Sequence, residues 1–392
     1  MGHDRIASAA KQPLWAVTIW DKKFNSVAPG KQKSAIKYHY LLAGDLKEKI
    51  VPGGDVKLLT TSETDWWTTE DKVVGLVSEG EIVSIPWGGN PNVQYFKGRF
   101  VTADNRIATS SDKGILDNKF LYYFMLSKRN TIGSFYRGAG LKHPEMSKVL
   151  DMEIPLPSIE VQRSFARCMD NVAKVIAIRK TQLESLSQLV KSRFVEMFGD
   201  PMSNPKGWPI GKVSDIARYW NGLTYKPEDV SHGGTIVLRS SNIQNGRLDF
   251  ADTIRVALDA KEKNVVSPGD ILMCSRNGSA ALVGKTTIIP RLSEKMYFGA
   301  FMMVLRSSEP EYLNTFFKTK AFRLQIACGK TTTVNQITCS MMDRVQLPLP
   351  PLALQREFAA FVAKVDKLAF AARQRRDVAK KMYRAKIQEF FG

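Results

Sequence analysis

The segment IPLPSIEVQRSF, Ile154 to Phe165, returns 193 residues later as LPLPPLALQREF, Leu347 to Phe358. Pro155 and Pro348, Pro157 and Pro350, Gln162 and Gln355, Arg163 and Arg356, and Phe165 and Phe358 all stay in register. The same offset carries EMFG at Glu196 to Gly199 onto EFFG, the last four residues, and Trp15 onto Trp208, with no gap required. A unit of about 190 residues is too long for a solenoid repeat and fits a duplicated domain. The chain therefore reads as two copies, expected to be related by a pseudo-twofold axis. Within each copy the Pro-Leu-Pro segment and the stretch after it match closely, whereas the residues before it match only at isolated positions. That contrast separates a shared support from a variable head and points to related tasks performed on different targets.

Composition narrows the partner. Net charge is +19 over 392 residues, with a pI of about 9.7. Lys plus Arg outnumber Asp plus Glu by 21 to 17 over residues 1–157, 7 to 5 over 158–200, 19 to 12 over 201–350 and 10 to 4 over 351–392, so heads and supports are all basic. A polyanion is the expected partner. No run of about 18 apolar residues and no signal peptide is present, which leads to the expectation of a cytoplasmic protein without membrane contact. Cys168, Cys274, Cys328 and Cys339 form no CxxC pair, and His3, His39, His143 and His232 are scattered. Neither a disulfide framework nor a structural metal is expected.

The supports read as helices. After Pro157 apolar residues step by four and three through Phe165, Met169, Val172, Ile176, Leu183, Leu186, Val190 and Met197, with Arg179 and Arg193 interrupting. The second copy carries Phe358, Val362, Val365, Ala369, Ala372, Ala379, Tyr383 and Phe390, supplemented by Phe361, Leu368 and Met382 beside them. This is a heptad seam without Pro or Gly until Gly199 and Gly392, and each predicts a helix of about 40 residues, roughly 60 Å. A wet seam would forgo roughly 1.5–3 kcal/mol per large side chain, so each helix needs a partner. The other copy's helix, packed antiparallel as a coiled coil, is the expected one. Pro155, Pro157, Pro348, Pro350 and Pro351 stand where proline is tolerated and stiffens the joint between head and helix. The expected organisation is a head over 1–157, a long helix over 158–200, a second head over 201–350 and a second long helix over 351–392.

The heads read as mixed, and the fold class as α+β. Val73 to Val77, Glu81 to Ile85, Thr235 to Ser240, Asp270 to Ser275 and Ala300 to Ser307 are predicted strands. Phe120 to Arg129 and Leu313 to Phe322 are predicted helices. Gly-containing polar loops, YRGAGLKHPEMSKV from Tyr136 and CGKTTTVNQITCSMM from Cys328, then lead back to the supports.

Strand, helix, polar loop, I/L-P-L-P-x4-Q-R-x-F and long helix, given twice in one basic chain, resemble the specificity subunit of type I restriction-modification systems. The resemblance covers essentially the whole chain, although KQKSAIKYHYLLAG, Lys31 to Gly44, has no clear counterpart in the second copy. It implies two target recognition domains, each reading one half of a bipartite, asymmetric DNA site, with two helices acting as a ruler for the spacer. It further implies two methyltransferase subunits docked on the rod and restriction subunits that join for cleavage. S-adenosylmethionine would belong to the methyltransferase partner, and ATP and Mg to the restriction partner, with no cofactor in this chain. Val161, Ile178, Val195, Phe361, Phe370 and Met382, off or beside the seam, are candidate docking residues for partner helices.

Base edges are read by Arg or Lys on guanine, by Asn or Gln on adenine, and by small polar side chains on either. In the second head SRNGS supplies Ser275, Arg276 and Asn277, RSSN supplies Arg239 and Asn242, and KTTTVNQ supplies Lys330, Thr332, Asn335 and Gln336. In the first head WGGNPNVQYFKGR supplies Asn90, Asn92, Gln94, Tyr95 and Lys97, and Lys142 and His143 occupy the positions equivalent to Asn335 and Gln336. Any one of these turns can equally be an ordinary polar surface loop.

No catalytic constellation is found. The N/D/S-P-P-Y/F loop of an amino-methyltransferase is missing. GSAALVGKT, Gly278 to Thr286, has five residues between its glycines where a phosphate loop needs four, and it runs into a strand-like TTII. The competing function is a basic coiled-coil scaffold that binds nucleic acid without reading sequence.

Overall fold

The computed structural model describes residues 9–21, 35–62, 64–327 and 335–392. Two compact units emerge, and only the second is a continuous stretch of chain. One comprises residues 1–179 with 374–392, and the other residues 180–373. Both contain a mixed α/β head together with parts of the two 40-residue helices, Ile159–Phe198 and Leu352–Phe391. Among the described residues no helix is long and apolar enough to cross a membrane.

In the first unit the sheet order is Ala35–Ile36, Thr18–Asp21, Asn105–Ser110, Ser78–Pro86, Gln94–Thr102, Val56–Leu59, Trp66–Thr68. The four strands from Thr18–Asp21 to Gln94–Thr102 are antiparallel. In the second unit Ala217–Asn221, Met302–Ser307, Ile271–Cys274 and Thr286–Ile288 form an antiparallel sheet with the same order of corresponding strands. Beside it Val230–Leu238 lies between Ile254–Val256 and Met296–Phe298.

The repeated motif is the joint. Glu153–Pro155 pairs antiparallel with Lys11–Pro13, and Gln346–Pro348 with Ile210–Lys212, so each Pro-Leu-Pro strand closes on the opening strand of its own head. Gln162 is fully buried at the start of its helix, donating to the carbonyls of Pro157 (2.9 Å) and Ile115 (2.8 Å) and accepting from the Asp117 backbone N–H (3.0 Å). Gln355 donates to the Pro350 carbonyl at 2.8 Å. A proline-rich approach leaves carbonyls that a helix start cannot satisfy, and glutamine at this spacing satisfies them. Gln162→Leu is expected to destabilise the first unit by about 1–3 kcal/mol, because two carbonyls and an N–H lose their partner. Urea titration followed by hydrogen exchange over 159–172 checks it.

Helix pairing is antiparallel in each unit. In the first, Phe165 meets Phe390 at 4.2 Å and Phe391 at 5.4 Å between ring centroids. In the second, Phe194 meets Phe358 at 5.6 Å, and Arg193 bridges to Glu357 at 2.9 Å. Phe165, Met169, Val172, Met197, Phe358, Val365, Ala369, Ala372, Ala379 and Phe390 are buried. Ile176, Leu183, Leu186, Val190, Val362 and Tyr383 are half-buried. Arg193, an interruption in the heptad reading, serves as an interhelical ion-pair residue.

Several expectations need correction. Leu368 and Met382 are 57% and 45% exposed and do not supplement the seam. Val73 to Val77 is a turn, not a strand, with Gly75 at φ +74° supplying the left-handed step. The helix expected over Leu313 to Phe322 is two, Pro310–Phe316 and Lys320–Ala327. The gapless offset of 193 also fails at the head openings. The short helices Leu14–Val17 and Val213–Ile216 correspond with an offset of 199, so Trp15 and Trp208 are not equivalent. Trp208 donates to the Phe198 carbonyl at the end of the first long helix (3.0 Å), whereas Trp15 is 37% exposed.

Candidate nucleic-acid interface

In each head the end of one sheet strand meets the loop that leads to the last short helix, Met146–Leu150 in the first and Cys339–Met342 in the second. In the second head this corner begins where Ile271–Cys274 ends. The backbone of Arg276 bridges that of Gln336, the Asn277 N–H donates to the Asn335 carbonyl (3.2 Å), and the Ile337 N–H to that of Ser275 (2.7 Å). Asn335 returns its side-chain amide to the Gly278 carbonyl (3.1 Å). The Ser240 turn joins through its hydroxyl, 3.1 Å from the Asn277 amide, and its carbonyl, 3.2 Å from Lys285 Nζ. Three segments far apart in sequence thus converge.

Within that corner the roles separate. Ser275 is buried, and Asn242 is fully buried with its amide donating to the carbonyls of Asp249 and Asp252. Arg239 is held by both oxygens of Asp252 at 3.0 Å. Ser275, Asn242 and Arg239 therefore shape the corner, while Arg276 is exposed and Asn277 and Gln336 are half-exposed. Lys330 and Thr332 lie outside the described residues.

The corresponding corner of the first head is furnished differently. Its backbone frame is the Trp87 N–H on the Asp104 carbonyl (2.7 Å) and Gly89 N–H on that of Lys142 (3.3 Å). His143 Nδ1 is 2.6 Å from the Trp87 carbonyl, with its ring 4.9 Å from the indole. Arg106 also lies over that indole, at 3.8 Å. Asn90 and Lys142 are exposed.

Gln94, Tyr95 and Lys97 are on a strand and not on a turn, since the run from Gln94 to Thr102 pairs along Ser78–Pro86. The alternation of that strand was hidden by its Gly98 and by the glycines and proline just before it. Asn92 is buried, and with Gln94, Tyr95, Lys57, Trp67 and Tyr122 it lines a recess of about 320 Å³. Gln94 is committed to the carbonyls of Thr60 (2.7 Å) and Ser62 (3.3 Å). The Tyr95 hydroxyl donates to Glu81 (2.8 Å), and burial, then that bond, raises its pKa. Only Lys97 of these three is exposed.

On the helices Ile178, Val195, Phe370 and Met382 are 62%, 52%, 56% and 45% exposed. Val161 differs, packing half-buried against the first head's core, and Phe361 is half-buried with Arg193 over its ring at 5.8 Å. Among the described residues no group of three or more His, Cys, Asp or Glu side chains is placed to hold a metal ion.

The sequence matches the family described as type I restriction modification DNA specificity domain twice, over residues 18–188 and 205–379. The chain belongs to this family. Among curated relatives of this specificity family, the StySPI specificity subunit of Salmonella potsdam is 32% identical over 175 residues, covering 41% of this chain and 38% of the relative. The MjaVIII specificity subunit of Methanocaldococcus jannaschii is 20% identical over 332 residues, covering 78% of this chain and 77% of that one. The crystal structure of the type I restriction-modification S subunit from M. genitalium aligns with a TM-score of 0.63 at 15% identity, over 98% of this chain and 96% of that one. That likeness extends the shared fold over both specificity domains and both helices.

Proposed function

We propose that this chain is a non-catalytic DNA reader whose two heads recognise the two halves of a bipartite, asymmetric site. In this reading it directs methyltransferase and restriction subunits to that site, and the paired helices set the spacer. One observation carries the proposal. The same backbone corner is built in both specificity domains but furnished with Arg276, Asn277 and Gln336 in one and with Asn90, Lys142 and His143 in the other. Equal scaffolds with unequal side chains are what two different half-sites require. The exposed Ile178, Val195, Phe370 and Met382 supply the docking surface for the methyltransferase subunits, which would bring S-adenosylmethionine. ATP and Mg would come with the restriction subunits.

The test is genome-wide adenine methylation in a host lacking other such systems, with this chain expressed alongside its cognate methyltransferase subunit and separately without it. A single two-part motif that needs both proteins is expected. In binding assays the site should be preferred over other DNA by ~10³ or more, a preference that persists as salt weakens all binding. An assembled complex with no preferred motif would instead favour the basic scaffold that binds nucleic acid without reading it.

A further inference from the structure

The arginines of the second head sort by partner. Arg239 is held by Asp252, Arg255 by Glu294, Arg306 by Asp270 and Arg247 by Asp366. Arg276, like Arg218, Arg291, Arg323 and Arg344, has no carboxylate partner among the described residues, and it is set apart by its guanidinium lying over the ring of Phe301, 5.2 Å from the centroid. Phe301 is 58% exposed in the turn just before Met302–Ser307. Its carbonyl accepts from the N–H groups of both Ser275 (3.0 Å) and Arg276 (3.1 Å), so ring and arginine belong to one hydrogen-bonded corner. A large exposed aromatic contributes little to the head's own core, and here its one evident task is to hold a guanidinium.

We propose that Arg276, oriented by Phe301, reads a guanine in the half-site of the second head. The inference rests on the DNA-reading function proposed above and assigns one of its determinants. Guanine offers O6 and N7 as paired acceptors in the major groove, which the planar guanidinium fork meets with two parallel N–H bonds. Stacking on an aromatic ring fixes the plane of the fork while leaving its N–H edge available, so less rotamer freedom is lost on binding. Phe301 is thus a positioning residue and Arg276 the reading one. Among the described residues the first head shows no exposed arginine over an exposed ring at its corner. There Arg106 is 4% exposed, packed over Trp87 and 3.9 Å from Asp21, out of reach of a base. Arg137, which pairs in register with His143, is held by Glu145 at 3.0 Å, and the assignment is made for the half-site of the second head.

Methylome mapping of the assembled complex tests this with Arg276→Ala, Arg276→Lys, Phe301→Ala and Phe301→Tyr, each beside the unmodified chain. Arg276→Ala is expected to lower the preference for guanine at one position of one half-site by roughly 5- to 150-fold, the range of a lost bidentate contact, and Arg276→Lys, which keeps the charge without the planar fork, to lower it less. Phe301→Ala should loosen the same position less, and Phe301→Tyr, which keeps the ring, should restore it. The other half-site, unchanged in the same sample, reports that the complex is intact. An unaltered motif in both Arg276 variants would overturn the assignment, as would equal loosening of both half-sites. Loosening by Phe301→Tyr as great as by Phe301→Ala would remove Phe301 from its positioning role. If the unmodified chain yields no bipartite motif, the DNA-reading function itself fails, a result distinct from the failure of Arg276 alone.

Discussion

Alanine at Phe390 and Phe391 is expected to open the head at the other end of the sequence. Both rings lie in the core of the first unit. Phe391 meets Phe120 at 5.1 Å, Phe165 at 5.4 Å and Phe124 at 5.6 Å, and Phe390 meets Phe165 at 4.2 Å and Phe120 at 6.2 Å. Lys128 Nζ also donates to the Phe391 carbonyl. A buried phenylalanine replaced by alanine costs about 3–5 kcal/mol, and two neighbours in one cluster need not add. Two units make a single unfolding free energy ill-defined, so exchange resolved by segment is the measurement of choice. Amides over 118–134 and 159–172 should lose protection while those over 302–327 keep theirs. Equal loss in both regions would contradict the assignment of these rings to the first unit alone.

The second large effect lies inside the first head. Asp21 is fully buried, 3.9 Å from Arg106, and accepts the Ile107 N–H at 2.9 Å. Burial lowers the pKa of the Arg106 guanidinium, and Asp21 is the first of the groups that oppose that shift. Asp21→Ala would leave a cation with nowhere to be solvated, and breaking a buried pair in this way costs about 3–5 kcal/mol. Asp21→Ala combined with Arg106→Met should recover most of that loss, since an apolar replacement for the pair removes the stranded charge. Chemical denaturation monitored at the first head, over the four chains of this cycle, gives the coupling. A double variant no more stable than Asp21→Ala would mean that the Ile107 contact, and not the charge pair, dominates.

Much of the architecture was legible because the same sentence is written twice. Pro155, Pro157, Gln162 and Phe165 and their copies marked the joint, and the joint proved to be a strand closure followed by a glutamine-capped helix start. The heptad stripe gave the helices, yet it passed over Phe194, Phe198 and Phe391, which are among the most buried of their residues. The heads were harder to read. Strands buried on one face and broken by Gly98 or preceded by Trp87-Gly88-Gly89 lose their alternation, so Gln94–Thr102 passed for a loop. At the candidate interface residue type pointed to candidate turns, but not to the division of labour within them. That division follows from pairing: Asn242 and Gln94 are spent on backbone carbonyls and Arg239 on a carboxylate, whereas Arg276 is not. No local pattern announces which long-range partner will claim a side chain. Phe301 illustrates this, standing among apolar neighbours as if it were core and emerging on the surface.

The discontinuous make-up of the first unit sets an order of events during synthesis. The second unit needs residues 180–373 only, whereas the first waits for 374–392. At ~5–20 residues per second, translation leaves the first head for roughly ten to forty seconds without the residues that fill its core. The part of the protein made earliest is therefore the last to close, and the newborn chain carries an unfinished apolar surface for about half of its synthesis.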